Sequence, residues 1–304
     1  MSSGSGSRAV VAALSANLGI AASKFVAFAI TGSTAMLSEA VHSVADSGNQ
    51  VLLLIGGRRA RRDATVRHQF GFGRVRYVYG FVVSIVLFLV GGVFSVVEGV
   101  RKTLHAEHVG DTRVAIIVLV VAIVLEGLSF RTALAEAAHL RGDTGMLRFL
   151  RESRQPELPV VLLEDTGALI GLVFAFLGVV LATITGDGRW DGMGAVAVGL
   201  LLVSIATFLA VEISSMLVGE GALPAEQDAI RAALESSELV DRVIHLRTMH
   251  VGPEELLVAA KVAVASTTTA RDIAVGIDAA ERALRAAVPS ARWVFIEPDL
   301  DRLL

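Results

Sequence analysis

Six apolar stretches, each close to the length that crosses a lipid bilayer, leave this chain few ways to fold. A hydrocarbon core about 30 Å thick takes about 20 helical residues. The stretches run approximately Val10–Ile30, Ala35–Gly56, Val78–Val100, Val114–Ala135, Leu158–Ile184 and Met193–Val218. In lipid every backbone amide must be satisfied internally, so a span is a helix or part of a closed barrel. The chain holds 29 glycines and only 2 tryptophans, which suits closely packed helices better than a barrel with aromatic girdles. Apolar residues at 54% and charged residues at 19% likewise lie outside the usual range of water-soluble domains. Arg8 ahead of the first stretch resembles the start of a signal peptide. Asn17 and Lys24 interrupt that stretch, however, and no small-residue cleavage site follows, so it is read as a span.

Charge is segregated along the chain, and that segregation sets an expected topology. Arginines crowd the loop after the second span (Arg58, Arg59, Arg61, Arg62, Arg67, Arg74, Arg76) and the loop after the fourth (Arg141, Arg148, Arg151, Arg154). The opposite connections carry far fewer. The positive-inside rule then places both termini in the cytoplasm, of a bacterial inner membrane by expectation, and an even number of spans agrees. With no cysteine, disulfides and thiolate metal sites are excluded. No nucleic-acid partner is implied.

The expected domains are a disordered leader over 1–8, a six-helix membrane domain over 9–218 and a cytoplasmic domain over 219–304. In the last, Ala225–Ser236 reads as an amphipathic helix. Val240–Val251 and Glu255–Val264 alternate like strands joined at Gly252-Pro253. Thr269–Ala287 reads as a second helix with Thr269 as its N-cap, and Trp293–Ile296 as a last strand. The order α-β-β-α-β gives helices layered on one small sheet, an α+β fold.

An ionisable side chain near the middle of a span costs about 2.5–3.5 kcal/mol, so each one needs a reason. The second span carries Glu39, His42 and Asp46, followed by Asn49. His42 and Asp46 stand four residues apart, which places them on one helical face with converging side chains. An imidazole and a carboxylate on adjacent turns offer two ligands to a cation of the zinc type. The fifth span adds Glu164 and Asp165. If the two spans pack together, Asp165 can complete the site, with Glu164 or a water as the fourth ligand. A His/Asp pair can also be a hydrogen-bonded tie between helices. Within membrane spans the summed insertion cost of Asp46, Glu164 and Asp165, roughly 8–10 kcal/mol, favours transport over such a tie. Glu39, near the outer end of its span, is read as lining an entrance or capping a helix.

These residues, in this order, resemble the cation diffusion facilitator family of dimeric zinc transporters. The resemblance rests on Ser33–Asp46, on His68-Gln69-Phe70-Gly71-Phe72-Gly73-Arg74, on Trp190-Asp191 and on the metallochaperone-like C-terminal domain. It covers nearly the whole chain. It implies six transmembrane helices, a homodimer, and a tetrahedral site built from His42 and Asp46 on the second span and Asp165 on the fifth. The sequence departs from the family pattern at Val161, where zinc members carry histidine. Leu162-Leu163-Glu164-Asp165 resembles a divergent clade that includes mitochondrial zinc-transporter homologues, in which Glu164 substitutes. A site with one nitrogen and several oxygens is harder than the usual one, so manganese, iron and cobalt compete with zinc as cargo. The resemblance also implies an ion pair between Arg74 and Glu220 that couples the membrane and C-terminal domains.

Accessory metal positions of the family are thinly populated here. His68 matches one, but Thr65 and Phe72 stand where its partners would be. His245, His250, Glu297 and Asp299 lie in the C-terminal domain, whose second strand has no histidine, so that domain is expected to dimerise rather than bind metal. Glu126 is read as pairing with Arg131, and Glu98, His105 and His108 as solvated. No nucleophile elbow, P-loop or HExxH motif points to an enzyme. The function expected is export of a divalent metal in exchange for protons by alternating access, the competing expectation being a membrane metal sensor or scaffold that moves nothing.

Overall fold

The computed structural model describes residues 18–105, 112–141 and 145–300. Helices α1 (Leu18–Thr31) and α2 (Thr34–Ala60) open the described chain. Helix α3 (Val75–Leu104) follows, widened by a π-helical segment at Leu87–Val93. Next come α4 (Arg113–Arg141), the short α5 (Met146–Glu152), α6 (Glu157–Thr185) and α7 (Arg189–Val218). Among them, Val75–Leu104, Pro159–Thr185 and Arg189–Val218 are each long and apolar enough to cross a membrane. Helix α2 has the length, at 27 residues, but Glu39, His42, Asp46, Asn49 and Gln50 dilute its apolar character. The expected leader over 1–8 and the start of the first expected span lie outside the described residues, as does His108.

The described residues fall into two compact units. One gathers α1, α2 up to Gly57, α4 to α6, and the parts of α3 and α7 from Val78 and up to Ile213. The other joins Arg58–Tyr77 to everything from Ser214 onward. The arginine-rich loop thus belongs with the C-terminal chain.

Glycines let helices of the first unit approach closely. A Cβ at Gly99 of α3 would lie 2.7 Å from the carbonyl oxygen of Gly192 and the backbone nitrogen of Val196 on α7. One at Gly199 of α7 would lie 2.6 Å from the backbone nitrogen of Val96. Gly92 and Gly99, like Gly192 and Gly199, are seven residues apart and so share a helical face. With no Cβ in the way, the two backbones meet and dispersion replaces the hydrophobic drive that lipid cannot supply. Gly178 and Gly194 join α6 to α7 in the same manner.

The turn from α1 to α2 passes through Gly32, in the left-handed region at φ +64°. The N-terminus of α2 is then capped from far along the chain. Asp191 of α7 accepts from the Ser33 hydroxyl at 2.6 Å and the Thr34 amide at 2.7 Å. Lys102 of α3 donates to the Gly32 carbonyl at 2.8 Å and lies 3.6 Å from Asp191. An anion set against otherwise unsatisfied amides and the positive end of the helix dipole is stabilising.

In the second unit α8 (Pro224–Glu235), β1 (Arg242–Gly252), β2 (Glu255–Ala263), α9 (Ala270–Ala287) and β3 (Ala291–Asp299) realise the expected α-β-β-α-β order. The sheet order is β1-β2-β3, with β1 antiparallel and β3 parallel to β2. Pro224 begins α8, where its missing N–H costs nothing, and Glu226 reaches back to the Leu223 amide at 2.9 Å. Thr269 caps α9 by accepting from the Asp272 amide. Ile230 and Leu234 of α8 and Ala280 and Leu284 of α9 close over Val243, Leu256, Val258, Val262 and Val294 of the sheet. Strand β3 is longer than expected and runs through Pro298. It is an edge strand, where a residue lacking an N–H is tolerated.

On this sheet Lys261 lies 3.0 Å from both Glu297 and Asp299. The hydrogen bonds that its ammonium donates to Asp299 and Glu297 raise its pKa. A raised pKa makes the contribution present throughout the neutral range and lost only as pH climbs through the lysine range.

Candidate metal centre

His42 Nε2 stands 3.4 Å from Asp46 Oδ2, so the four-residue spacing on α2 does bring the two side chains together. The imidazole is buried, yet neither of its ring nitrogens has a hydrogen-bond partner, and neither does Asp46 Oδ1. Buried polar atoms are normally satisfied, so three such atoms on adjacent turns mark a place prepared for something other than protein. Gly91, in the π segment of α3, stands beside the imidazole: a Cβ there would lie 3.7 Å from His42 Nδ1 and 3.1 Å from Leu202 Cδ1. A wide helical turn of this kind often accompanies function, here by turning a glycine rather than a side chain toward the ring.

Helix α6 supplies the opposing acid. Glu164 is buried and accepts from the Asn49 amide nitrogen at 2.6 Å, which ties α6 to α2 one turn beyond Asp46. Asp46 lies within electrostatic range of Glu164. Asp165 is half-buried and lies within electrostatic range of Glu126 of α4 and of Glu164. Among the described residues no three histidine, aspartate or glutamate side chains converge closely enough to hold a metal ion. Of the candidate ligands the structure thus brings His42 and Asp46 together as a pair, with Glu164 in electrostatic range of Asp46 and Asp165 outside that pair.

Other expected positions fall as follows. Glu39 is no entrance residue: it is fully buried, and Lys24 of α1, itself 1% exposed, donates to its Oε2 at 3.2 Å and to Ser43 Oγ at 2.8 Å. Glu126 lies in electrostatic range of Glu39, Asp46 and Asp165, and Arg131 is exposed. Glu98 pairs with Arg101, and the His105 ring is exposed beside the Arg101 carbonyl. His68 stacks at 4.6 Å on Phe72. Glu297 and Asp299 are engaged with Lys261, whose strand partner in register is His245.

Arg74 packs within the second unit. Its guanidinium reaches the His250 carbonyl at 3.5 Å and would lie 3.3 Å from a Cβ at Gly219, next to Glu220. The Glu220 carbonyl accepts from the His250 amide at 2.8 Å. The loop is held there by Gly73, where a Cβ would come 2.8 Å from Gly252 Cα, and by Phe70 edge-on to Trp293 at 5.3 Å. Lys24 and Asp191 are the functional groups that sequence reasoning missed. A lysine inside an apolar run was the visible signal for the first; the second gave none beyond its place in a motif.

A glycine-packed bundle of apolar helices that buries an imidazole and carboxylates, followed by a small α+β domain, is the build of a membrane protein of the cation-carrier class. A family profile for the cation efflux transmembrane domain matches residues 10–218, and the chain belongs to that family, the cation diffusion facilitators. It is 33% identical over 225 residues to the mitochondrial proton-coupled zinc antiporter SLC30A9 of Mus musculus, the match covering 73% of this chain and 39% of that protein. It is 27% identical over 248 residues to metal tolerance protein C4 of Arabidopsis thaliana, covering 81% of this chain and 54% of that one. The chain thus spans about two fifths to a half of the length of these relatives. A solved MamM-CTD chain is 24% identical, with a TM-score of 0.25, over 26% of this chain and 94% of that chain.

Proposed function

We propose that this protein exports a divalent transition-metal cation, zinc foremost, in exchange for protons, with manganese, iron and cobalt as the competing cargoes. The carrying observation is the His42/Asp46 pair, whose ring nitrogens and Oδ1 are buried without a hydrogen-bond partner. One imidazole with carboxylate oxygens suits zinc and admits harder cations. Glu164 enters as the third ligand from α6 and Asp165 as the fourth, with a small shift of α6 against α2 assembling the set.

Proton exchange follows from ligand chemistry. A metal binds the neutral imidazole and ionised carboxylates, so loading releases protons and reprotonation releases metal. Metal and proton compete for the same nitrogen and oxygen atoms, so each displaces the other. Metal and proton then each stabilise one orientation of the bundle, which is alternating access. The proposed frame is six spans over 9–218 with both termini on the arginine-rich cytoplasmic face of an inner membrane. The domain over 219–304 pairs two copies, and an Arg74–Glu220 pair couples it to the spans. The relatives named proton-coupled zinc antiporters support this reading.

Proteoliposomes test it. Zinc uptake should accelerate with an imposed pH gradient and fall in Asp46→Ala and Glu164→Ala. Flux indifferent to the gradient rejects the coupling, and tight, non-exchanging metal without flux rejects the carrier. Reversing Arg74 or Glu220 singly should slow transport, and reversing both should restore it.

A further inference from the structure

Lys24 and Glu39 are the most costly pair in the first unit to explain. Removing two charges from water costs several kcal/mol per ion, and apolar packing of similar volume would join α1 to α2 as well or better. The pair is nevertheless buried, and it is aimed at the metal site. Ser43, next in sequence to His42, accepts the second Lys24 hydrogen bond and fixes the ammonium on the ligand-bearing face of α2. Lys24 lies within electrostatic range of both His42 and Asp46. Glu39 sits one turn before His42, its Oε1 without a hydrogen-bond partner and 2.9 Å from where a Cβ at Gly171 of α6 would stand. The acids sharing this field are Glu39, Asp46, Glu126, Glu164 and Asp165, and the ammonium among them is that of Lys24.

We infer that Lys24 and Glu39 form a charge-neutral pair that tunes the affinity of the His42/Asp46 site for its dication, Lys24 acting as a fixed cation that offsets one carboxylate and keeps Glu39 out of the ligand set. This rests on the carrier reading above. Neither residue touches the metal; both are positioning residues acting through the field at the site. A dication feels the sum of the pair. Removing Glu39's charge leaves an uncompensated ammonium that repels the cargo, and removing both charges returns the field to its original value.

The experiment is a charge cycle in purified, full-length protein, read as equilibrium zinc affinity by calorimetry and as zinc flux in proteoliposomes. Glu39→Gln should weaken zinc binding by at least about tenfold, the scale of one unit charge acting on a dication across a partly desolvated site. Lys24→Met combined with Glu39→Gln should return affinity to within about threefold of wild type, because the pair is neutral again. A merely structural pair predicts the opposite for the double variant, which would be at least as impaired as either single one. Glu39→Gln that binds like wild type, or a double variant no tighter than Glu39→Gln, overturns the inference. If the double variant does not fold, the swapped pair Lys24→Glu with Glu39→Lys asks the same question, and affinity weakened more than tenfold there overturns it equally. Wild-type protein that binds no zinc rejects the carrier reading itself; zinc binding without the restoring cycle rejects this inference alone.

Discussion

Helices α3 and α7 meet along a seam of glycines that receive the backbone and small side chains of the facing helix, whereas α1, α2 and α6 meet across a layer of charges. At the seam Gly92, Gly99, Gly192 and Gly199 leave room only for backbone atoms and for the side chains of Val203, Val196, Thr103 and Val96, all too close to admit a Cβ. In the polar layer His42 and Asp46 keep atoms without partners, Asn49 holds Glu164, and Lys24 holds Glu39. One interface is closed by direct contact, and the other keeps polar atoms that the proposed cargo would satisfy. A carrier needs both: a contact rigid enough to serve as a reference, and one whose stability changes when cargo or protons arrive.

The comparison breaks most visibly at Asp46. Asp46→Ala removes one of two paired ligands, so zinc flux in proteoliposomes should fall on the order of 100-fold, the upper range for damage to a metal site's supporting shell. Thermal unfolding in detergent should be barely lowered, because Asp46 Oδ1 accepts no hydrogen bond and Oδ2 stands 3.4 Å from His42 Nε2. Gly199→Ala should do the reverse. Its Cβ would stand 2.6 Å from a backbone nitrogen that cannot swing aside. Overpacking of this kind costs about 1–3 kcal/mol, seen as a lowered unfolding temperature with zinc affinity retained. A seam variant that loses zinc affinity while keeping its stability would show that the two interfaces are not separate.

What the sequence discloses follows the range of the contact. His42 and Asp46 lie four apart on one helix, so their meeting is written in the helical period and the structure keeps it. The α-β-β-α-β order was legible because alternation, Pro224, Gly252-Pro253 and the Thr269 cap are local signals. Lys24 was visible only as an interruption, because its partner lies 15 residues away across a turn set by Gly32. Asp191 capping Ser33 and Thr34 from 158 and 157 residues away has no local signature at all. Glu39 was placed near an entrance because its depth was judged from span ends, whereas the neighbour that decides its environment is on α1. Strand β3, expected over Trp293–Ile296, runs Ala291–Asp299 and tolerates Pro298 because it lies at the sheet edge.

Smaller effects sharpen the contrast. Asn49→Ala leaves Glu164 buried without its donor, so zinc affinity should fall about 10-fold, as for other groups that orient a ligand without binding metal, measured by equilibrium titration. Unchanged affinity would remove Glu164 from the ligand set and leave Asp165 as the acid from α6.

Gly127 of α4 gives the smallest effect and the control for the seam. A Cβ there would meet nothing within 4 Å, so the glycine serves no close approach. Gly127→Ala then keeps only the backbone term: alanine is the better helix former by about 1 kcal/mol, and it loses less conformational freedom on folding. The unfolding temperature should rise slightly with zinc flux unchanged, opposite in sign to Gly199→Ala. Identical chemistry at two helical glycines would thus separate the cost of crowding from the gain in propensity. If both substitutions destabilise, Gly127 too must face a partner, and close glycine packing would extend beyond the α3–α7 and α6–α7 contacts.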